Sequence, residues 1–309
     1  MSRTVRRLGL IIGLVSVLGL TATSTVTGHG DEHEGPTFEV QVLKDPVAGW
    51  NILIVTDVRF APENVSTGNV EGEGHAHVYV DGVKVSRIYG MWHYLNDLEP
   101  GEHEIRIELS NNDHTPITTG DHVLEQIVTI RQPEPAGPVS TPEPRAVPAD
   151  QPIPAVSADA VHDPAGGFNL RIALDNFDLA PVMASRDPVE GEGHGRLHLN
   201  GEYVTRIYEE WTQITGLEVG RHEITVALVA NDHAPLTHDG APIQATFTLD
   251  VTEESLTAGP GHDHGGTADD MGDMGDMGDM GDMGEGEHEH MGDMSDIGED
   301  EPMEDMATG

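Results

Sequence analysis

The chain carries one pattern twice, at a constant offset: His194 stands 119 residues after His75, and every other shared element keeps that spacing. Glu71-Gly72-Glu73-Gly74-His75 returns as Glu190-Gly191-Glu192-Gly193-His194, and Asn112-Asp113-His114 returns as Asn231-Asp232-His233. Between them both copies hold Arg-Ile-Tyr (from Arg87 and Arg206), a tryptophan (Trp92, Trp211) and Gly-x-His-Glu-Ile (from Gly101 and Gly220). Such self-similarity implies a duplicated unit of roughly 95 to 100 residues. A domain of that size can bury an adequate core by itself.

Within each copy the apolar period is two. Ile105, Ile107 and Leu109 alternate with Glu104, Arg106 and Glu108, and Ile224, Val226 and Leu228 answer in the second copy. Leu170, Ile172 and Leu174 alternate likewise, as do Phe247, Leu249 and Val251. Alternation of this kind specifies half-buried strands. Asp81-Gly82 and Asn200-Gly201 sit between strand-like runs and predict tight hairpins. About seven short strands per copy predict an all-β chain of two tandem immunoglobulin-like antiparallel β-sandwich domains.

Composition divides the chain further. Residues 1–28 combine Arg3, Arg6 and Arg7 with a short apolar stretch, Leu8 to Leu20, and small residues after it, the pattern of a secretory signal peptide. No other stretch is apolar enough to cross a membrane, so a periplasmic or secreted location is expected, with no membrane span after signal cleavage. Residues 29–36 form an acidic, His-bearing lead, 37–131 the first repeat, and 132–153 a Pro-rich linker, extended and semi-rigid. Residues 154–252 form the second repeat and 253–309 an acidic tail expected to be disordered. The net charge of −40, from 55 acidic and 15 basic residues, argues against nucleic acid and favours cations as partners. A saline habitat, or selection for solubility, also produces such a charge. There is no cysteine, which excludes disulfides and thiolate metal sites.

The histidines carry the chemical information. On the strand that starts at Gly74, parity places Ala76, Val78 and Val80 on one face and His75, His77 and Tyr79 on the other. In the second copy His194, Arg196 and His198 share that second face. Arg196 stands where the first copy has His77 and should repel a cation there; His198, in place of Tyr79, is expected to restore part of the site. His114 and His233, in Asn-Asp-His turns, are third ligand candidates, with Asp113 and Asp232 either orienting the imidazoles or capping the turns. A three-histidine set suits Cu(II) or Zn(II). The alternative is structural: Gly72 and Gly74 serve the backbone, and the histidines tie loops together. His103 and His222, at strand starts, are expected to do only that.

These motifs resemble a family of exported bacterial domains with no settled function, which share a Gly-x-Gly-His-x-His strand, a Gly-x-His strand start and an Asp-His pair. The resemblance covers both repeats, but neither linker nor tail, and fits the first copy better because His77 has no counterpart in the second. It implies a small β-sandwich and an exported location more than an activity.

The tail holds nine of the twelve methionines, with Met271, Met274, Met277, Met280 and Met283 at period three and Met291, Met294, Met303 and Met306 beyond. His262 and His264 form one His-x-His pair, His288 and His290 another. Exposed thioethers favour Cu(I), and the His pairs suit Cu(II), Zn(II) or Ni(II). The run is similar to the Met, Asp, Gly and His-rich stretches of exported copper-resistance proteins; a slipped, neutral Met-Gly-Asp repeat is the competing explanation. The sequence thus points to an exported metal-binding protein, copper first and zinc second, that buffers, delivers or confers tolerance. An envelope interaction module with a solubilising tail is the alternative, with another envelope protein as its partner. No nucleophile motif or cofactor loop suggests an enzyme.

Overall fold

The computed structural model describes residues 35–134, 137 and 142–257. The expected signal peptide, residues 29–34 of the lead, part of the linker, and the Met and His residues of the tail lie outside the described residues.

Each repeat is built on seven principal strands. The first contains β1 (Phe38–Lys44), β2 (Trp50–Thr56), β3 (Glu73–Val80), β4 (Val83–Ile88), β5 (Trp92–Leu95), β6 (Gly101–Ser110) and β7 (Glu125–Gln132). The second contains β8 (Ala155–His162), β9 (Phe168–Asp175), β10 (Glu192–Leu199), β11 (Glu202–Ile207), β12 (Trp211–Ile214), β13 (Gly220–Ala230) and β14 (Gln244–Val251). Three strands, in the order β1-β2-β5, face four, in the order β7-β6-β3-β4; the second repeat answers with β8-β9-β12 and β14-β13-β10-β11. All of these pairings are antiparallel. This is the immunoglobulin-like sandwich that the alternation predicts, in both copies.

The alternating residues form the cores. Ile52, Ile54, Ala76, Val78, Ile105, Ile107 and Leu109 are sealed in the first, and Leu170, Leu197, Ile224, Val226 and Leu228 in the second. Truncating one such isoleucine or leucine to alanine costs about 2–5 kcal/mol. The hairpins form where expected: Asp81 and Gly82 take φ of 51° and 80°, Asn200 and Gly201 54° and 86°, the paired positive values that a two-residue turn requires. Gly74 is fixed by proximity, since a Cβ there would stand 2.3 Å from the Ser110 carbonyl oxygen; at Gly193 it would stand 2.0 Å from that of Val229. The Gly-x-Gly part of the motif is therefore a backbone requirement, and it presses β3 against the end of β6.

Strand parity holds for β3, but the histidine face does not look into solvent. His75 is fully buried and His77 nearly so, because the two repeats dock on each other through these faces. The docking is reciprocal. Arg87 pairs with Asp163 of the second repeat, and Arg206 with Asp45 of the first, at 2.7 Å. Tyr89 donates to Asn169 Oδ1 (2.9 Å), and Tyr208 to Asn51 Oδ1 (3.0 Å). Ser66 donates to Asp163 (2.7 Å), and Ser185 to Asp45 (2.7 Å). The duplicated Arg-Ile-Tyr is thus an inter-repeat clasp with approximate two-fold symmetry. Tyr94, Tyr208 and Ala184 form a small apolar cluster beside it, with Trp92 packed against them.

Two boundaries shift. The described end of the Pro-rich linker is extended but not free: Arg145–Ala146 adds to Leu236–His238 of the second repeat as a short parallel strand. The tail begins later than its composition indicates. Glu253–Leu256 forms one helical turn, closed by reciprocal bonds between Thr252 and Ser255, and Leu256 packs on the second core. Among the described residues no helix is long and apolar enough to cross a membrane.

Candidate metal centre

His75 and His77 reach the site from the non-core face of β3, and His114 from the turn after β6. That turn is tightly specified. Asp113 Oδ1 accepts from the Thr115 amide (3.0 Å) and hydroxyl (2.6 Å), and Asn69 donates to Asp113 Oδ2 (2.7 Å). Asp113 therefore caps the turn. His114 itself has φ of 68°, a left-handed conformation uncommon for a residue with a side chain. The constraint swings its ring over β3.

Three ring nitrogens converge there. His75 Nε2 lies 2.9 Å from His77 Nε2 and 3.1 Å from His114 Nδ1, and the latter two are 3.4 Å apart. A tetrahedral ion bound at about 2.0–2.1 Å holds its nitrogen ligands roughly 3.3–3.4 Å apart. The triangle fits such an ion after an expansion of a few tenths of an ångström. Among the described residues these are the three side chains so grouped.

The protons are ordered by the surroundings. Asp163 is ionised, because the Arg87 and Ser66 contacts outweigh the effect of burial and lower its pKa. It takes the Ser66 hydroxyl proton, so Ser66 Oγ must accept from His114 Nε2–H at 2.8 Å. That leaves the His114 Nδ1 lone pair facing inward. On His77, Nδ1 faces Ser110 Oγ (3.2 Å) and the Glu108 carboxylate (3.6 Å), while Nε2 accepts from Lys84 Nζ (3.0 Å). The single lone pair of that nitrogen is thus engaged by Lys84, and it would face an ion only once Lys84 gives up the contact. Outer partners of this kind fix the tautomer and orientation of a ligating imidazole. His75 Nε2 completes the triangle, and its Nδ1 is buried without a hydrogen-bond partner. Burial, with the neighbouring positive groups, holds the His75 pKa well below 6.5 and that of His77 at about 2. Both rings are therefore neutral, as ligands must be.

Lys84 reaches this face because of a bulge. The register between β3 and β4 slips between Val78 and Tyr79, which sets Lys84 opposite Tyr79 and leaves Val85 unpaired. Burial of its amino group, followed by repulsion from Arg87, lowers its pKa to about 8. As an ammonium it opposes a cation; as a free amine it adds a fourth nitrogen donor.

The second copy repeats the frame and loses the triangle. His194 Nε2 meets His233 Nδ1 at 3.1 Å, and His233 Nε2 meets Ser185 Oγ at 2.8 Å, which in turn donates to Asp45. Burial keeps the His194 pKa well below 6.5 and brings that of His233 to about 4. Arg196 occupies the His77 position, and the expected compensation by His198 does not occur. His198 packs edge-on against Tyr203, at 6.0 Å between ring centroids. It lies two residues further along β10, beside the bulge between Leu197 and His198, and does not reach the His194–His233 pair.

The strand-start histidines hold loops, as expected. His103 bonds Asp81 and the Glu99 carbonyl, both at 2.7 Å, and His222 bonds Asn200 (3.0 Å) and the Glu218 carbonyl (2.7 Å). Sequence reasoning missed Ser66, Asp163 and Lys84. Ser66 and Ser185 keep the 119-residue offset, and that was the available clue to them. The order His114–Ser66–Asp163 is also not that of an activated serine, because the carboxylate lies beyond the serine and not beyond the histidine.

No family model matches the chain, and no curated protein matches it. Solved structures give fold-level likeness only. Fibronectin(III)-like modules of Clostridium thermocellum CbhA align at 14% identity over 68% of this chain and 94% of theirs, with a TM-score of 0.20. The central fibronectin-III array of RIM-binding protein aligns at 12% identity over 72% of both chains, with a TM-score of 0.21. Scores this low carry no argument about the site.

Proposed function

We propose that this chain is an exported metal-binding protein whose first repeat takes one Cu(II) or Zn(II) ion at His75, His77 and His114. The observation that carries the reading is the convergence of three imidazole nitrogens within 3.4 Å, one of them, His114 Nδ1, turned inward by the outer bond from its Nε2–H to Ser66. Imidazole nitrogens packed this closely form a donor set that one ion would satisfy together. On this reading the tail adds capacity through its Met series and His-x-His pairs, with Cu(I) as its preferred ion. The role is buffering, delivery or tolerance, without catalysis.

The test is a Zn(II) and Cu(II) titration of the full chain beside His77→Arg, the residue that the second repeat carries at this place. Tail binding is common to both proteins, so the difference isolates the site. The variant should keep its thermal midpoint within a few degrees and bind one ion fewer. Equal stoichiometry and affinity would sink the repeat site and favour an envelope interaction module instead.

A further inference from the structure

The repeats enclose a cleft of about 710 Å3, lined from the first by Trp50, Tyr94, Leu95 and Leu98 and from the second by Tyr203 and Arg196. The volume lies in the range of small-molecule pockets, and the walls are mainly aromatic and aliphatic.

Arg196 is anomalous among the arginines of this acid-rich chain. Arg59, Arg87, Arg106, Arg145, Arg171, Arg206 and Arg221 each hold a carboxylate. Of the other described arginines, Arg131 and Arg186 are exposed to water, and Arg196 alone is half-buried without a hydrogen bond or ion pair. Removing a guanidinium from water with no acceptor is costly. With 55 acidic side chains in the protein, a partner would have been easy to supply. Arg206, which also lines the cleft, is committed to Asp45 and stacks 4.1 Å over Tyr94. The cleft carboxylates are elsewhere engaged: Asp232 binds Arg145 at 2.6 Å, and Asp97 accepts from Asn96 at 2.5 Å. The two cleft histidines do not supply positive charge, since burial lowers the pKa of both His198 and His233.

We infer that the inter-repeat cleft binds a small organic carboxylate with an aromatic or apolar body, its carboxylate held by Arg196 and its body between Trp50, Tyr94 and Tyr203. The planar fork of a guanidinium matches a carboxylate at two points. An unpaired guanidinium in a cleft that also presents aromatic and aliphatic side chains favours such a ligand over inorganic phosphate, which would leave the aromatic walls unused. The substitution that removes the third histidine from the second copy therefore gives that copy a different ligand. The inference does not rest on the metal reading, because it uses the side chains of the other half of the interface.

The experiment is isothermal titration of the full chain in the presence of a chelator, with benzoate as probe and benzamide and inorganic phosphate as comparisons. Benzoate should saturate one site, with benzamide and phosphate each at least tenfold weaker. Arg196→Gln should weaken benzoate at least tenfold and leave benzamide unchanged, with thermal unfolding as the control for folding. Arg196→His, the residue that the first copy uses here, is a second variant that should lose benzoate in the same way at pH 8. Absence of saturable benzoate binding overturns the inference. So does equal affinity for benzoate and benzamide, tighter binding of phosphate, or an Arg196→Gln protein that binds benzoate as the wild type does.

Discussion

Positions 77 and 196 are equivalent in the sheet: His77 lies opposite Arg87, and Arg196 opposite Arg206, each in register across neighbouring strands. Around both, the remaining imidazoles keep the same spacing, 3.1 Å from His75 to His114 and from His194 to His233. Arg196→His should therefore build a second triangle, and Zn(II) titration of that variant should show one ion more than the wild type. An unchanged stoichiometry would mean that the second copy differs in more than this residue. At this scale parity made the His75–His77 pair legible. The meeting with His114 was not, because it depends on a left-handed turn that no period encodes. Lys84 was hidden for a related reason: simple alternation puts it on the wrong face, and only the unpaired Val85 turns it round. His198 was misjudged because a shared strand face was equated with reach.

Among the elements, the segments before β3 and β10, each a two-residue parallel strand and a 3-10 turn, matter more than their shortness suggests. Ser66 and Ser185 sit there at φ of 63°, held by hydrogen bonds that their backbone N–H groups donate to the Asn112 and Asn231 carbonyls at 2.7 and 2.8 Å. Each places a hydroxyl between its own repeat's histidine and the other repeat's aspartate. Ser66→Gly keeps the positive φ and removes only the hydroxyl, so the fold should tolerate it. It should weaken Zn(II) at the first repeat about 10- to 100-fold, as expected when an outer hydrogen bond to a ligating imidazole is lost. A competition titration with a chromophoric chelator reads the change, and an unaltered affinity would show that Asp163 has no hold on the site. The strands and hairpins were legible because their patterns are local. The clasp between repeats was not, since Asp45 and Asp163 are far in sequence from the arginines they meet and look like ordinary surface acids.

For the molecule as a whole, the docked interface sets the response to acid. His75, His77 and His194 are buried neutral, with pKa values held far below the 6.5 of an exposed imidazole. Below pH 6.5 the unfolded chain gains protons at these positions and the folded chain does not, so stability falls as pH falls. Each such group contributes about 1.4 kcal/mol per pH unit. Asp45 acts later. Burial alone would raise its pKa, but Arg206 and Ser185 outweigh it and bring the value to about 2, so its contribution is lost only between about pH 3.8 and 2. Urea unfolding at pH 7.5, 6 and 5 should show the midpoint dropping across this series at constant m value. A midpoint that stays level would mean that the histidines are already charged in the folded protein.

The reciprocal clasp has a further consequence. Two identical chains docked this way would be bound to mirror every change: a dimer from a single-domain gene carries two histidines at the site or two arginines, never one of each. Joined in one polypeptide, the halves keep the geometry of a dimer while being free to specialise. One half can then serve cations and its counterpart anions across a shared wall, and neither choice constrains the other.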